Sequence, residues 1–245
     1  MKPCPNLVGF YGGDLVKETA SKTIVIVLME MCDTGTLFDE MVSKQDTGFK
    51  EEHLLRIVEC IAKGIAGLHG IGYAHRDIKI ENVLQGKDGT YKLCDFGSCT
   101  NRTVDFGAMP QSDYGLYEDE LEKNTTPMYR PPEIVDPFLR YRVNEKVDVW
   151  LLGCVLFTLC YFVHPFIESN KLAISRGLFK IPTNSKYRYS DKLNDLIRHM
   201  LTPNPVHRPA INDVLAIVRN WKQLQQVPLN VHIWVMEVRS KGSQS

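Results

Sequence analysis

Apolar and polar positions follow two rhythms along this chain, and the rhythms divide it into elements. Thr23–Met29 is a run of β-branched and apolar residues, which predicts a strand. Residues 51–70 place Leu54, Leu55, Ile57, Val58, Ile61, Ala62, Ile65 and Leu68 at helical spacing, with Gly70 and Gly72 as stop signals. Asp33, Thr34 and Thr36 offer caps for a helix running to Lys44. Val83–Gln85 and residues 90–94 flank Gly86-Lys87-Asp88-Gly89, the pattern of a β-hairpin. Residues 168–176, 190–201 and 210–224 read as further helices. Residues 225–245 lose periodicity, and 240–245 are expected to be disordered.

The longest uncharged run covers residues 149–163. At fifteen residues it falls short of the roughly 20 that a bilayer span needs, so a buried helix explains it better. Asn144-Glu145-Lys146 would start that helix, and His164-Pro165 would end it. Asp148 would then be an acid near the start of a buried helix, which requires hydrogen-bond donors around it. A helix-terminal cap of no longer reach is the alternative.

The hairpin changes the picture from fold to chemistry. Its open end brings Asn82 and Asp95 together, with Asp77 just before the first strand. The run His75-Arg76-Asp77-Ile78-Lys79-Ile80-Glu81-Asn82, followed by Asp95-Phe96-Gly97, has the spacing used for phosphoryl transfer from ATP. Asn82 and Asp95 fit as hard oxygen ligands for Mg²⁺. Asp77 would accept or orient the proton of an incoming hydroxyl, and Lys79 would offset charge on the transferring group.

Composition agrees with a globular enzyme. The chain has 245 residues, 44% hydrophobic and 24% charged, enough for a sizeable core. With 29 basic and 29 acidic residues, no global field favours nucleic acid or an acidic membrane. Seven cysteines without a Cys-x-x-Cys pair point to reduced thiols in a cytosolic compartment, not to disulfides or zinc. The histidines show no ligand spacing, and no signal peptide is read.

These motifs resemble the catalytic half of eukaryotic protein kinases over about residues 4–224. Pro131-Pro132-Glu133 stands where that family has Ala-Pro-Glu; Asp148-Val149-Trp150 through Gly153 matches its buried central helix; His207-Arg208-Pro209 matches its late arginine. The resemblance implies an α+β, protein-kinase-like fold. Residues 1–29 would be a remnant of the small lobe with its last two strands, 30–33 the hinge, 34–224 a mostly helical large lobe, and 225–245 a carboxy-terminal extension. It implies a pair between Glu133 and Arg208, contact between Thr126 and Lys79, and backbone amides of the catalytic loop bound by Asp148. Met29 would be the gatekeeper and Leu84 the floor of the adenine site, with Glu30 and Cys32 in the hinge. Plain core packing would also account for Met29. Lys79, two residues after Asp77, is similar to serine/threonine kinases.

Residues 124–130, the Leu93-Cys94-Asp95-Phe96-Gly97-Ser98 run, Leu152-Gly153-Cys154 and His164-Pro165-Phe166 narrow the resemblance to the Numb-associated kinase family. That implies clathrin adaptor subunits as protein substrates, and a cytoplasmic location at clathrin-coated vesicles. Oligomeric state is not implied. The family's glycine-rich loop, phosphate-gripping lysine and helix glutamate have no match here. Gly9, Gly12 and Gly13 stand in the wrong place, and Lys17 and Lys22 flank a polar turn. An incomplete gene model or fragment is therefore expected, its two remaining strands exposing apolar surface. A non-catalytic interaction module docking protein through residues 172–180 is the alternative function. A small-molecule kinase fits less well, because residues 125–133 look like a protein-substrate platform.

The segment from Asp95 to Glu133 leaves one question open. Thr100, Thr103, Ser112, Tyr114 or Tyr117 would carry a phosphate that pairs with Arg76. Glu118, Asp119, Glu120 and Glu122 would otherwise form an acidic helical turn that removes that need, or a solvated charge run.

Overall fold

The computed structural model describes residues 4–19, 22–167 and 170–224. The chain starts with an antiparallel ribbon, β1 (Phe10–Lys17) and β2 (Thr23–Met29), in which Phe10 faces Met29 and a register shift falls between Phe10 and Gly12. Helices α1 (Leu37–Ser43) and α2 (Glu51–His69) follow. Then comes the hairpin of β3 (Val83–Gln85) and β4 (Tyr91–Leu93). Beyond it lie β5 (Val104–Asp105), α3 (Gly115–Lys123), α4 (Pro132–Val135) and β6 (Arg142–Val143), with β5 paired antiparallel to β6. The helical body closes with α5 (Lys146–Tyr161), α6 (Lys171–Ser175), α7 (Asp191–Met200), α8 (Ile211–Arg219) and α9 (Trp221–Leu224).

Helix α5 is the axis of the body. Every residue from Val147 to Tyr161 is buried, as a helix without a polar face requires. Helices α2 and α7 pack against it, and α8 packs on α2. Gly153 permits the close approach: a Cβ there would lie 2.9 Å from Leu201 Cδ2. The apolar stripe of α2 from Leu54 to Leu68 is buried, as its spacing predicted. Thr36 caps α1 in a reciprocal box with Asp39.

Several boundaries differ from expectation. Helix α5 stops at Phe162, in the left-handed region with φ 58°, two residues before His164-Pro165. Helix α6 is only five residues long, started by the Asn170 side chain, which accepts from Ala173 N; residues 168 and 169 of the expected helix lie outside the described residues. The last expected helix breaks at Asn220, whose side-chain amide donates to Ala216 O at 2.9 Å and competes with the helical ladder. The expectation of disorder in 240–245 and the extension 225–245 also lie outside the described residues.

The ribbon is exposed along both strands. Leu15, Val25 and Leu28 are 67%, 66% and 62% exposed. Met29 is 51% exposed, so core packing does not account for it: no described residue covers that face of the ribbon. The ribbon reaches the body through residues 6–9. Val8 N donates to Leu93 O at 2.9 Å, and Leu93 N to Asn6 O at 2.9 Å.

Candidate active site

Hairpin closure assembles the site. Val83 faces Leu93, and Cys94 N donates to Asn82 O at 3.0 Å, so Asp95 begins where the Asn82 segment ends. The tight turn at the other end has Gly89 at φ 72° and Thr90 N bonded to Asp88 Oδ1 at 2.9 Å.

Asp77 is the hub. Its Oδ2 accepts from Lys79 Nζ at 2.8 Å and from Asn82 Nδ2 at 2.9 Å; its Oδ1 accepts from Thr126 Oγ1 at 2.7 Å. Lys79 also donates to Thr126 Oγ1 at 3.2 Å, so the resemblance's Lys79–Thr126 contact is present. Burial pushes the Asp77 carboxyl upward, but the bonds from Lys79 and Thr126, the Lys79 charge and the Asn82 amide outweigh it and hold the group below the usual carboxylate range. The site therefore keeps a partly buried carboxylate ionised. The Asn82 amide nitrogen also donates to Asp77 O at 2.9 Å, which leaves its Oδ1 for another partner.

Asp148 fixes this loop from below. Its carboxylate is wholly buried. One oxygen accepts from His75 N and the His69 ring at 2.8 Å each, and the other from Arg76 N at 2.8 Å. The long reach expected for Asp148 is thus present, and a local cap does not describe it. His75 Nε2 donates to Cys94 O at 3.1 Å, tying the loop to the hairpin. Arg76 has φ 68°, a conformation that costs a non-glycine residue about 1–2 kcal/mol. Its N–H bond to Asp148 and its Nε bond to Ser98 O at 2.8 Å hold it there. Arg76 also donates to Glu120 of α3 at 2.9 Å.

Asp95 is placed apart from the hydrogen-bonded group. It is exposed, with φ 60°, and its side chain accepts only from Gly97 N, at 3.3 Å, among the described residues. The group joined directly is therefore Asp77, Lys79, Asn82 and Thr126, with Asp95 at its margin through the Cys94–Asn82 link. An exposed carboxylate and an uncommitted amide oxygen suit a hard cation. Among the described residues no group of three or more His, Cys, Asp or Glu could hold a metal alone, so a cation here would need an amide and a nucleotide's own oxygens as well.

The adenine-site candidates lie on the ribbon's end and on β3. Leu84 is half-buried and bridges to Thr36. Cys32 is half-buried, its thiol pushed up by burial. The Glu30 carboxylate is engaged by Lys92 at 2.6 Å and by Gly9 N at 3.0 Å. Farther off, Arg208 meets Glu133 with two bonds of 2.7 and 2.8 Å, both side chains wholly buried. Arg208 also donates to the carbonyls of Lys146, Thr202 and Pro203 and lies over the Trp150 ring. Two participants escaped the sequence reading. His69 was visible only as the last residue of α2, and Lys92 as one polar position on a short strand.

The sequence profile described as "Protein kinase domain" matches residues 2–218. A probable serine/threonine-protein kinase of Dictyostelium discoideum is 39% identical over 216 residues, covering 86% of this chain and 26% of that protein. Actin-regulating kinase 1 of Saccharomyces cerevisiae is 37% identical over 210 residues, covering 85% of this chain and 32% of its own. Actin-regulating kinase PRK1 of the same yeast is 38% identical over 206 residues, covering 83% and 25%. The chain thus spans between a quarter and a third of these relatives. No helix among the described residues is long and apolar enough to cross a membrane.

Proposed function

The chain belongs to the protein kinase domain family, and from that premise we propose that it transfers the γ-phosphoryl group of ATP to serine or threonine hydroxyls of proteins. The observation that carries the proposal is the Asp77 hub. An ionised carboxylate bridges a lysine and a threonine of the substrate-side segment, with its Oδ1 and Oδ2 facing different donors.

In this mechanism the incoming hydroxyl replaces the Thr126 or Asn82 donor at Asp77, which orients it and takes its proton. Lys79 is already within 2.8 Å of that carboxylate and offsets negative charge as the phosphoryl group crosses. Asn82 Oδ1 and the Asp95 carboxylate are the ligands that would hold Mg²⁺, which when bound neutralises phosphate charge. Residues Met29, Glu30, Cys32 and Leu84 would line the adenine site.

The motifs support membership of the Numb-associated kinases, with cyclin-G-associated kinase the member they most resemble. The actin-regulating kinases of yeast support a role at the actin cytoskeleton. Clathrin adaptor subunits as substrates, and a cytoplasmic place at coated vesicles, follow from that kinship. The direct test is phosphate transfer from radiolabelled ATP with Mg²⁺ to adaptor subunits and to a serine/threonine peptide library, with Asp77→Asn as control. Transfer no greater than the control's on every substrate sinks the proposal.

The second reading, an interaction module, has its own support in Leu172 and Leu178, 55% and 59% exposed. Adaptor binding without transfer would favour it.

A further inference from the structure

The ribbon and the catalytic hairpin share a charged fastening, Glu30 with Lys92, whose lysine the phosphoryl-transfer reading does not use. Glu30 follows β2 directly. Its N–H donates to Gly9 O at 2.7 Å, and its Oε2 accepts from Gly9 N at 3.0 Å, so it closes a ring with the residue that precedes β1. Its Oε1 accepts from Lys92 Nζ at 2.6 Å. Lys92 lies on β4, opposite Leu84 on β3 and three residues before Asp95. One carboxylate therefore joins both roots of the ribbon to the strand that leads into the cation-binding residues.

The two partners are built for each other. Their side chains are 25% and 15% exposed, far less than the surface pair Lys22–Glu18 at 66% and 43%. The Lys92 bond lowers the Glu30 carboxyl, with the Gly9 N–H adding to it. On the β1 side the junction also holds backbone bonds between residues 6–8 and Leu93, and the Asn6 amide donating to Tyr91 O at 2.9 Å. Beyond the end of β2, Gln85 N donates to Gly35 O at 3.0 Å and Lys87 pairs with Asp33 at 3.1 Å, both at β3 and its turn. Among these ties, Glu30–Lys92 is the one that reaches β4 from the end of β2, and so it bears on the ribbon's tilt.

We propose that Glu30 and Lys92 form a positioning pair that sets the angle between the adenine edge, residues 29–32, and the phosphate end, Asn82 and Asp95. This rests on the reading that a nucleotide lies between those two places. A nucleotide must satisfy both ends at once, so a loose tilt costs affinity for it without touching the groups that move the proton.

The test uses the full 245-residue chain with three substitutions. Lys92→Met removes the charge, Lys92→Arg restores it, and Glu30→Gln keeps an acceptor for Gly9 N while losing the ion pair. Steady-state kinetics with MgATP and a peptide should show KM for ATP raised about tenfold in Lys92→Met, with kcat and peptide KM within about twofold, recovery in Lys92→Arg, and KM for ATP raised in Glu30→Gln as well. Amide exchange measured without nucleotide should quicken at Gly9 and Glu30 and also at Asp95 to Gly97 in Lys92→Met. A drop in kcat at unchanged KM overturns the proposal, as does exchange that changes only around residue 92, or Arg behaving like Met. A wild-type chain that transfers no phosphate would sink the proposed function, whereas the exchange pattern judges the pair by itself.

Discussion

Glu120 on α3 stands 2.9 Å from Arg76 in the catalytic loop, across 44 residues of sequence. The arginine side chain is 8% exposed and the glutamate 47%, so a nearly buried cation is compensated by an acid at the surface. Of the readings left open for residues 118–122, the acidic helical turn is the one whose geometry appears. Glu122 faces another cation, Arg130, at 3.6 Å. Phosphatase treatment should therefore leave activity within about twofold, while Glu120→Gln should lower kcat/KM severalfold, as expected for one half-exposed pair worth about 1 kcal/mol or less. Activity abolished by phosphatase would show that a phosphate, not Glu120, holds Arg76.

Asp77→Asn should reduce kcat by about 10²- to 10⁴-fold, the usual contribution of a positioned proton acceptor. The amide keeps an oxygen for Thr126, so folding and nucleotide binding should persist. Thermal stabilisation by MgATP, compared between variant and wild type, separates the two effects. Equal loss of binding and turnover would make Asp77 structural instead.

Arg208→Ala should cost about 3–5 kcal/mol of stability, because it strands the Glu133 carboxylate wholly buried and unpaired by its guanidinium. Lys in its place should recover little, since Arg208 spends its planar fork on two carboxylate oxygens and three carbonyls. Urea unfolding followed by circular dichroism measures this, and a loss below about 1 kcal/mol would contradict it.

His164 predicts an acid sensitivity. Phe166 N donates to its Nδ1 at 3.2 Å, so the ring proton sits on Nε2, which is buried with no hydrogen-bond partner among the described residues. Burial pulls its pKa from 6.5 down to about 4. Between those values the unfolded chain binds the proton and the folded chain does not. Stability is therefore full above pH 6.5 and falls as pH drops toward 4, by at most about 3 kcal/mol from this residue. His164→Phe should flatten that part of the stability-against-pH curve. An unchanged slope would place the titration elsewhere.

The sequence was most readable where one residue type serves one purpose. The stripe of α2 and the all-apolar run of α5 mark burial, and Asp88-Gly89 marks a turn. Asp77, Lys79 and Asn82 lie within six residues of one another, so a local motif captures most of the hub. Thr126 and Arg208 were reached only through resemblance, because their partners lie 47 and 75 residues away. Met29 shows the limit in the other direction: the apolar run alone predicts a strand but not its exposure, which is expected only from the family elements that have no match here. The two-residue strands β5 and β6 are too short for any alternation to register. The partners of Glu30 and Glu120 depend on which element packs beside them, which spacing along the chain does not encode.

The grip of Asp148 on the catalytic loop has a consequence for how this chain tolerates change. Beside its ties to Cys94 and Ser98, the loop borrows the stiffness of α5 through one carboxylate. Alterations deep in the interior, such as a side chain added at Gly153 against Leu201, would reach the reacting groups by tilting their foundation. Selection on turnover must then police positions that substrate never meets, and a map of inactivating substitutions should trace the inside of that helix as faithfully as it traces the cleft.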